Sequence, residues 1–267
     1  SSLSISNLKL VYQECKFKNV TFISSLPGYI SNKMLSYFKR NKLYDCDILG
    51  RGSELPLSLG EAKNEKDLIY IKLKKKIIDA INLNPIKKIT SGIPLSINKK
   101  NFKIDISTMY SDRLYKEKWM DKLIKTKCVL GAEGGSSIFD FDSSVQFLNS
   151  KFQVDESKGI KSSDTYLEHY KSLNNIHHRT ITPRIFEAIC CGTILLLLEG
   201  EYRNVLKPYV HYIPIKKDLS NIWKALKLTN NKNYISKMRE KAYNEIAMNK
   251  KYHFKYFTKK LDMIISS

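Results

Sequence analysis

The sequence predicts an α/β fold, in which a parallel sheet is flanked by helices. Its 267 residues alternate between short apolar segments and amphipathic segments whose apolar residues recur at helical spacing. Strands separated by helical segments of about 10–15 residues are typical of βαβ units, whose strands run parallel. Several predicted strands also end in glycine, which allows a sharp turn and brings backbone N–H groups close to a bound phosphate. Glycine is common in ordinary βα turns as well, so a single instance is weak support.

The predicted elements follow one another along the chain. We expect buried strands at 19–24, 44–52, 127–135, 193–200 and 209–215. We expect helices at 31–41, 112–126 and 183–191, and closing helices within 217–265. Segment 67–83 fits either a strand followed by a helix or one long helix. The polar stretch 143–178 is predicted to be an insertion, partly helical around 164–173, that forms a lid or a surface excursion.

By length the chain could form one large domain or two small ones, and its 42% hydrophobic and 11% aromatic residues are enough to bury a sizeable core. We expect a single domain over 1–267. The net charge of +20 favours anionic partners such as nucleic acid, phosphorylated metabolites or an acidic membrane surface. The abundance of Lys, Ile and Asn also fits the codon bias of an AT-rich genome, and both explanations stay open. Because the basic residues are spread along the chain, the pattern disfavours a nucleic-acid-binding tail.

The cysteines indicate a reducing compartment. None of the five cysteines forms a CxxC pair, and we expect Cys128, Cys190 and Cys191 to be small core residues. The sequence contains no stretch of 18 apolar residues and shows no signal peptide. We therefore expect a cytoplasmic protein, with peripheral contact at the inner face of an anionic membrane left open.

The segment 182–192 carries the most informative local pattern. Thr182 and Pro183 suit the start of a helix, and Gly192 suits its end. Arg184 and Glu187 are three residues apart, so they share one helix face. An arginine at a helix start attracts phosphate, and a carboxylate one turn later can accept hydrogen bonds from a vicinal diol such as ribose. A plain Arg–Glu pair on the helix surface fits the same spacing.

These residues also carry a resemblance. The stretch "PRIFEAICCGTILLLLEGEYRNVLKPYVHYIPIKKDLSNI", residues 183–222, resembles the nucleotide-sugar-binding region of GT-B glycosyltransferases. It is most similar to the group-1-like bacterial enzymes of surface-polysaccharide synthesis, such as lipopolysaccharide and capsule. The resemblance is specific over 182–222 and looser over the rest of the chain. It implies a Rossmann-like sheet of the GT-B donor-domain type, with the acceptor half absent or reduced.

The resemblance also implies roles for particular residues. Glu187 matches the glutamate whose carboxylate holds the ribose of the sugar donor. The better-known retaining members carry a second glutamate eight residues earlier, where this sequence has Arg179. The paired glutamates are therefore absent, and the resemblance decides neither inversion nor retention, nor the sugar.

Further site residues are predicted from charge and position. Arg184 and Lys207 are candidates for neutralising the diphosphate, and Glu201, like Glu199, for contacting the donor sugar or base. The glycines expected near phosphate are Gly50, Gly134 and Gly135. As catalytic base toward the acceptor hydroxyl we consider Glu133 and His178. Each of these could instead be an ordinary turn or surface residue.

We expect no cofactor and no divalent metal. Asp140 and Asp142 have the DxD shape that holds a metal in other transferases, but the shape is common by chance. The GT-B resemblance also implies no need for that metal.

The sequence thus predicts a nucleotide-sugar-dependent glycosyltransferase with a glycan or lipid-linked acceptor and no nucleic-acid partner. Two alternatives remain: a basic nucleic-acid-binding module, whose affinity would fall steeply with salt, and a non-catalytic transferase-like scaffold.

Overall fold

A computed structural model describes residues 4–13, 15, 20–38, 42–52, 59–157, 173 and 175–266 of the chain. The strands are β1 (Cys46–Arg51), β2 (Ile104–Ser107), β3 (Thr126–Gly131), β4 (Gly134–Ser136), β5 (His178–Thr180), β6 (Ile194–Leu198) and β7 (Ile213–Ile215). The first helices are α1 (Ile5–Val11), α2 (Asn32–Leu35), α3 (Glu61–Asp67), α4 (Leu73–Asn82), α5 (Pro85–Thr90) and α6 (Lys116–Ile124). They are followed by α7 (Ser144–Ser157), α8 (Pro183–Cys190), α9 (Ile222–Thr229), α10 (Lys232–Ala242) and α11 (Phe254–Ile265).

The main sheet is parallel, as predicted. Its five strands lie in the order β2-β1-β3-β6-β7, and every neighbouring pair runs in the same direction. β4 and β5 form a separate antiparallel pair. Parallel strands require crossover connections. Helices provide them on both faces of the sheet, except between β6 and β7, where the connection contains only a 3-10 turn at Tyr202–Asn204. The predicted α/β fold with a helix-flanked parallel sheet is therefore confirmed.

The strands are buried on both faces, which explains their continuous apolar runs. On one face Leu49, Val129 and Leu195 join a core cluster with α6 and α8. On the other face Ile48 and Cys128 join a second cluster with α4 and α9. All five residues of β6 are buried, and each large aliphatic side chain buried in this way stabilises the fold by about 1.5–3 kcal/mol. Cys128, Cys190 and Cys191 belong to these cores as free thiols, as expected.

Helix α8 begins and ends where its sequence predicts. Thr182 occupies the N-cap position with extended backbone, although its side chain makes no capping hydrogen bond, and Pro183 is the first helical residue. At the other end Gly192 has φ +65°, which favours glycine. The N–H groups of Gly192 and Thr193 donate to the carbonyls of Ile189 and Ala188, both at 2.9 Å. These two hydrogen bonds end the helix sharply, and the chain continues directly into β6.

One predicted strand is wrong. Residues 20–24, the described part of the strand expected at 19–24, form no strand, and none of them is buried. The edge position beside β1 is taken instead by β2, where Ile104 pairs with Ile48. The helix expected at 31–41 is limited to α2 among its described residues.

Two further strands differ from their predicted bounds. The strand expected at 127–135 divides into β3 and β4, which belong to different sheets, and of the strand expected at 209–215 only β7 forms. Segment 67–83 is one long helix, because a π-helical turn at Leu68–Lys72 joins α3 to α4. Within the insertion, α7 is helical. A second helix was expected around 164–173, but residues 164–172 lie outside the described residues, and Leu173 is described as a turn residue. The closing helices are α9, α10 and α11.

The aromatic residues of 252–257, most of which belong to the start of α11, pack only in part. Tyr252 is buried against Phe186, and Phe257 stacks on Tyr29 with ring centres 4.6 Å apart. Tyr256 remains 51% exposed. In the part of the chain that the structure describes, we find no helix with the length and hydrophobicity of a membrane span.

Candidate functional site

A cavity of about 440 Å³ opens at the carboxyl ends of β1 and β3. The start of α8, from Thr182 to Ile185, forms one of its walls, and α6 contributes another. Ligands of open parallel sheets bind at this edge, beyond the carboxyl ends of the strands. Its charged lining consists of four cationic residues and one acidic residue: Arg51, Lys66, Lys116, Arg184 and Glu187.

Glu187 faces this cavity from the second turn of α8. Its Oε2 atom accepts a hydrogen bond of 2.7 Å from the indole Nε1–H of Trp119. Its Oε1 atom has no hydrogen-bond partner among the described residues. The carboxylate is thus held by one oxygen and open to a ligand at the other.

Arg184 lies one turn before Glu187, and the two side chains form no ion pair with each other. The Arg184 Nη1 atom donates to the backbone oxygen of Arg51 at 2.6 Å. Its guanidinium carbon lies 5.1 Å from the ring centre of Trp119, within range of a cation–π interaction. The alternative of a plain surface Arg–Glu pair is therefore wrong, because each side chain makes different contacts.

Two lysines add positive charge to the cavity. Lys66 donates from Nζ to the backbone oxygen of Ala132 at 3.3 Å. Burial, assisted by the nearby charge of Arg184, lowers the pKa of Lys66 to about 8. Lys116 lies at the start of α6. A cationic cavity of this kind attracts an anionic ligand, which would in turn favour the charged form of Lys66.

Arg51 lines the cavity but is already paired. Its guanidinium forms an ion pair of 2.7 Å with Asp105 and donates to the backbone oxygens of Gly50, Asp105 and Asp112. Arg51 therefore ties β1 to the neighbouring strand, and its own backbone oxygen anchors Arg184.

Sequence reasoning missed Arg51, Lys66, Lys116 and Trp119. The arginine between two glycines in "GRG" was a usable signal, because it follows directly from the end of a predicted strand. The other three residues gave none, since their approach to Glu187 depends on the packing of α3 and α6 around the cavity.

Glu133, considered as a catalytic base, is 5% exposed and does not line the cavity. Its Oε1 accepts from the backbone N–H of Tyr202 at 2.6 Å, and its Oε2 from that of Glu201 at 3.3 Å. Burial raises its pKa, although the two N–H donors oppose this. Both oxygens hold the 201–204 turn, so the geometry does not support the role of base.

His178 and the glycines of "GAEGG" lie together in the β4–β5 pair. Gly134 is opposite Thr180, and Gly135 is opposite Arg179. Gly135 has φ +117°, and a Cβ there would lie 1.9 Å from the backbone oxygen of His178. Burial, and then the charge of Arg203, lowers the pKa of His178. Gly135 is thus required by the strand pairing, and the contact of both glycines with phosphate stays a prediction.

The remaining predicted site residues lie outside the cavity lining. Gly50 is packed between Ile106 and Tyr70, where a Cβ would lie 3.1 to 3.2 Å from either side chain. Glu201 is exposed, with its carboxylate 3.9 Å from His177. Lys207 is exposed, and its backbone N–H donates to His211 Nδ1 at 3.1 Å. Of the predicted site residues, the structure brings only Arg184 and Glu187 into one cavity.

The DxD residues have local hydrogen-bond partners. Asp140 accepts the N–H groups of Val145 and Gln146, and Asp142 accepts that of Ser144. They therefore stabilise the first turn of α7. Within the described ranges, no three His, Cys, Asp or Glu side chains cluster as a metal site would need.

Comparisons with known proteins identify the fold alone. No family model matches the sequence, and neither does any curated protein. The crystal structure of TarM matches 99% of this chain and 43% of its own, with a TM-score of 0.51 and 11% identity. The Anabaena protein Alr3699/HepE, solved in complex with UDP-glucose, matches 98% of this chain and 53% of its own, with a TM-score of 0.41 and 10% identity. The chain therefore spans about half the length of the solved structures it matches. At this identity the match to TarM shows the fold alone, which is the helix-flanked parallel α/β fold described above.

Proposed function

We propose that this chain binds a nucleotide-sugar as the donor-binding part of a glycosyltransferase. One observation supports this proposal above all. Glu187, whose carboxylate has a hydrogen-bond partner at Oε2 only among the described residues, lines a cationic cavity at the carboxyl ends of β1 and β3. A nucleotide-sugar presents two features that this cavity complements, a ribose diol and a diphosphate.

The proposed roles follow from the geometry. Oε1 of Glu187 accepts a hydrogen bond from a ribose hydroxyl, while Arg184, Lys66 and Lys116 face the diphosphate. Negative charge grows on the diphosphate as the bond to the sugar breaks, and preorganised cations stabilise that charge. The positive end of the α8 helix dipole acts in the same direction. No metal is needed in this scheme, because the cavity supplies the positive charge through its own side chains.

The acceptor must lose a proton as the new bond forms. Since Glu133 is engaged with the 201–204 turn, we propose His178, or a group on the acceptor-binding half of a longer enzyme, as the base. The lowered pKa of His178 favours its neutral form, which is the form able to accept a proton.

We further propose a glycan or lipid-linked acceptor in bacterial surface-polysaccharide synthesis, reached at an anionic membrane surface. A groove of about 410 Å³ beside the cavity supports the membrane contact. It is lined by Lys74 and Lys75 together with Ile71 and Ile78, which are partly exposed. Basic and apolar side chains on one face suit an anionic lipid interface. The net charge of +20 acts in the same sense.

Calorimetric titration with UDP, GDP, ADP and CMP tests the donor site. We expect binding of a nucleoside diphosphate, and we expect Glu187→Ala to weaken it by about ten- to a hundredfold through loss of a charged acceptor. Glu240→Ala, which removes an exposed carboxylate on α10, is the matched control. The proposal fails if the wild-type protein binds none of the four nucleotides, or if Glu187→Ala binds as tightly as the control.

A further inference from the structure

We propose that Trp119 is the positioning residue of the cavity, which holds both Glu187 and Arg184 in the geometry that binds the donor. This inference rests on the proposed function and adds to it a residue through which the two charged groups act together. It follows from the position of one indole ring between the two charged side chains.

Trp119 contacts the two charged residues through different parts of its ring. Its Nε1–H, the single donor of the indole, is used on Glu187 Oε2 at 2.7 Å. Its ring face lies 5.1 Å from the Arg184 guanidinium carbon. Because Trp119 is only 5% exposed and packed in the core beside α8, the ring itself is immobilised. One immobilised ring therefore contacts both charged side chains and restricts the rotamers that each can adopt.

The consequence for binding is preorganisation. A carboxylate without a fixed partner samples several rotamers, and a ligand must then stop that motion at a cost in free energy. The indole N–H fixes Oε2 and leaves Oε1, on a residue that lines the cavity, without a hydrogen-bond partner among the described residues. The arginine, anchored to the Arg51 backbone and the indole face, keeps its charge beside the same space. Supporting groups of this kind hold a binding site within the narrow tolerance that recognition requires.

A buried tryptophan can also serve packing alone, and a double-mutant cycle separates the two roles. Trp119→Phe keeps an aromatic ring but deletes the N–H donor. We expect it to weaken binding of the best nucleoside diphosphate by about tenfold, as for loss of one hydrogen bond to a charged group. In the Glu187→Ala background the same change should cause no further loss, because the acceptor of the indole N–H is gone and the phenyl ring still faces Arg184.

Trp223→Phe is the matched control, since the sequence has two tryptophans and Trp223 packs in the other core cluster. We expect it to bind nucleotide like the wild-type protein. It also leaves Trp119 as the sole tryptophan, so its fluorescence should change when a nucleoside diphosphate occupies this cavity.

A second variant guards against misfolding of Trp119→Phe. In the Trp223→Phe protein, Trp119 can be replaced during expression by 3-benzothienylalanine, which preserves the shape of the indole but lacks its N–H. The same tenfold loss is expected.

If the wild-type protein binds and both Trp119 variants bind within twofold of it, the inference is overturned while the proposed function stands. If the losses from Trp119→Phe and Glu187→Ala simply add, Trp119 has only a packing role. Failure of the wild-type protein to bind any nucleotide overturns the proposed function together with this inference.

Discussion

The carboxylate of Glu133 accepts a hydrogen bond of 2.6 Å from the backbone N–H of Tyr202. Tyr202 begins three consecutive residues with left-handed backbone, in which Tyr202, Arg203 and Asn204 have φ of 45°, 55° and 55°. Such a conformation costs about 1–2 kcal/mol for each residue with a side chain. Glu133, buried at the end of the neighbouring strand, stabilises this turn by also accepting the N–H of Glu201 at 3.3 Å.

Removal of this carboxylate should destabilise the protein, because the turn loses the acceptor of two of its N–H groups. We expect Glu133→Ala to lower the free energy of unfolding by about 2–4 kcal/mol, because hydrogen bonds to a charged group are lost in a buried setting. Urea denaturation measures the change, with Glu240→Ala as a surface control that should lie within about 0.5 kcal/mol of the wild-type protein. Equal stability of the two variants would show that the turn does not depend on Glu133.

The adjacent glycines of "GAEGG" should differ in their tolerance of a side chain. A Cβ at Gly135 would lie 1.9 Å from the backbone oxygen of His178, at φ +117°. A Cβ at Gly134 would lie 3.2 Å from a methyl group of Thr182, at an ordinary backbone angle. We expect Gly135→Ala to cost about 3 kcal/mol, and Gly134→Ala about 1 kcal/mol or less, in urea denaturation. The reverse order would contradict the pairing of β4 with β5.

The fold could be predicted where the strands carry their own signal. The run 194–198 is apolar at every position because both sides of β6 are covered, and Gly192 marks the end of α8. The strand β2 was missed because its four residues, Ile-Asp-Ile-Ser, alternate in polarity and occupy an edge. Residues 20–24 looked like a buried strand from composition, but burial depends on the neighbours that an element finds.

The site was predictable only in its local part. Arg184 and Glu187 share one helix, so their spacing alone places them on one face. Trp119 and Lys66 reach the same cavity from α6 and α3, through contacts that no local pattern encodes. Conversely, charge and position suggested Glu133 and Lys207 as site residues. In the structure Glu133 binds the 201–204 turn, and Lys207 is exposed at the surface.

The ion pair that anchors the cavity wall should respond to acid. Burial opposes ionisation of Asp105, but hydrogen bonds from Lys122 and Arg51 outweigh it and lower its pKa below 3.8. The pair therefore contributes stability that is present above the ordinary carboxyl pKa and is lost as pH falls through the lowered value. We expect Asp105→Asn to cost about 2 kcal/mol at neutral pH. In urea denaturation this difference from the wild-type protein should shrink toward zero under strong acid; a constant difference would rule out the ionic origin.

Lys66 should make nucleotide binding depend on pH in the alkaline range. The pKa of Lys66 is about 8 in the folded protein without ligand, whereas it is about 10.5 in the unfolded chain. The unfolded state then binds more protons between these values, so this group's contribution to stability rises with pH across that window. A bound diphosphate favours the charged lysine, and affinity should accordingly fall as pH rises above about 8, by at most about tenfold for each pH unit.

Substitution of Lys66 isolates this effect from other titrating groups. We expect Lys66→Met to bind the nucleoside diphosphate about tenfold more weakly at neutral pH, since a partly desolvated cation is lost from the cavity. Its affinity should also stay nearly constant above pH 8, where that of the wild-type protein declines. Lys237→Met, an exposed lysine on α10, should retain both the affinity and the decline. Calorimetric titration across this pH range distinguishes the variants, and an unchanged decline in Lys66→Met would assign the titrating group elsewhere.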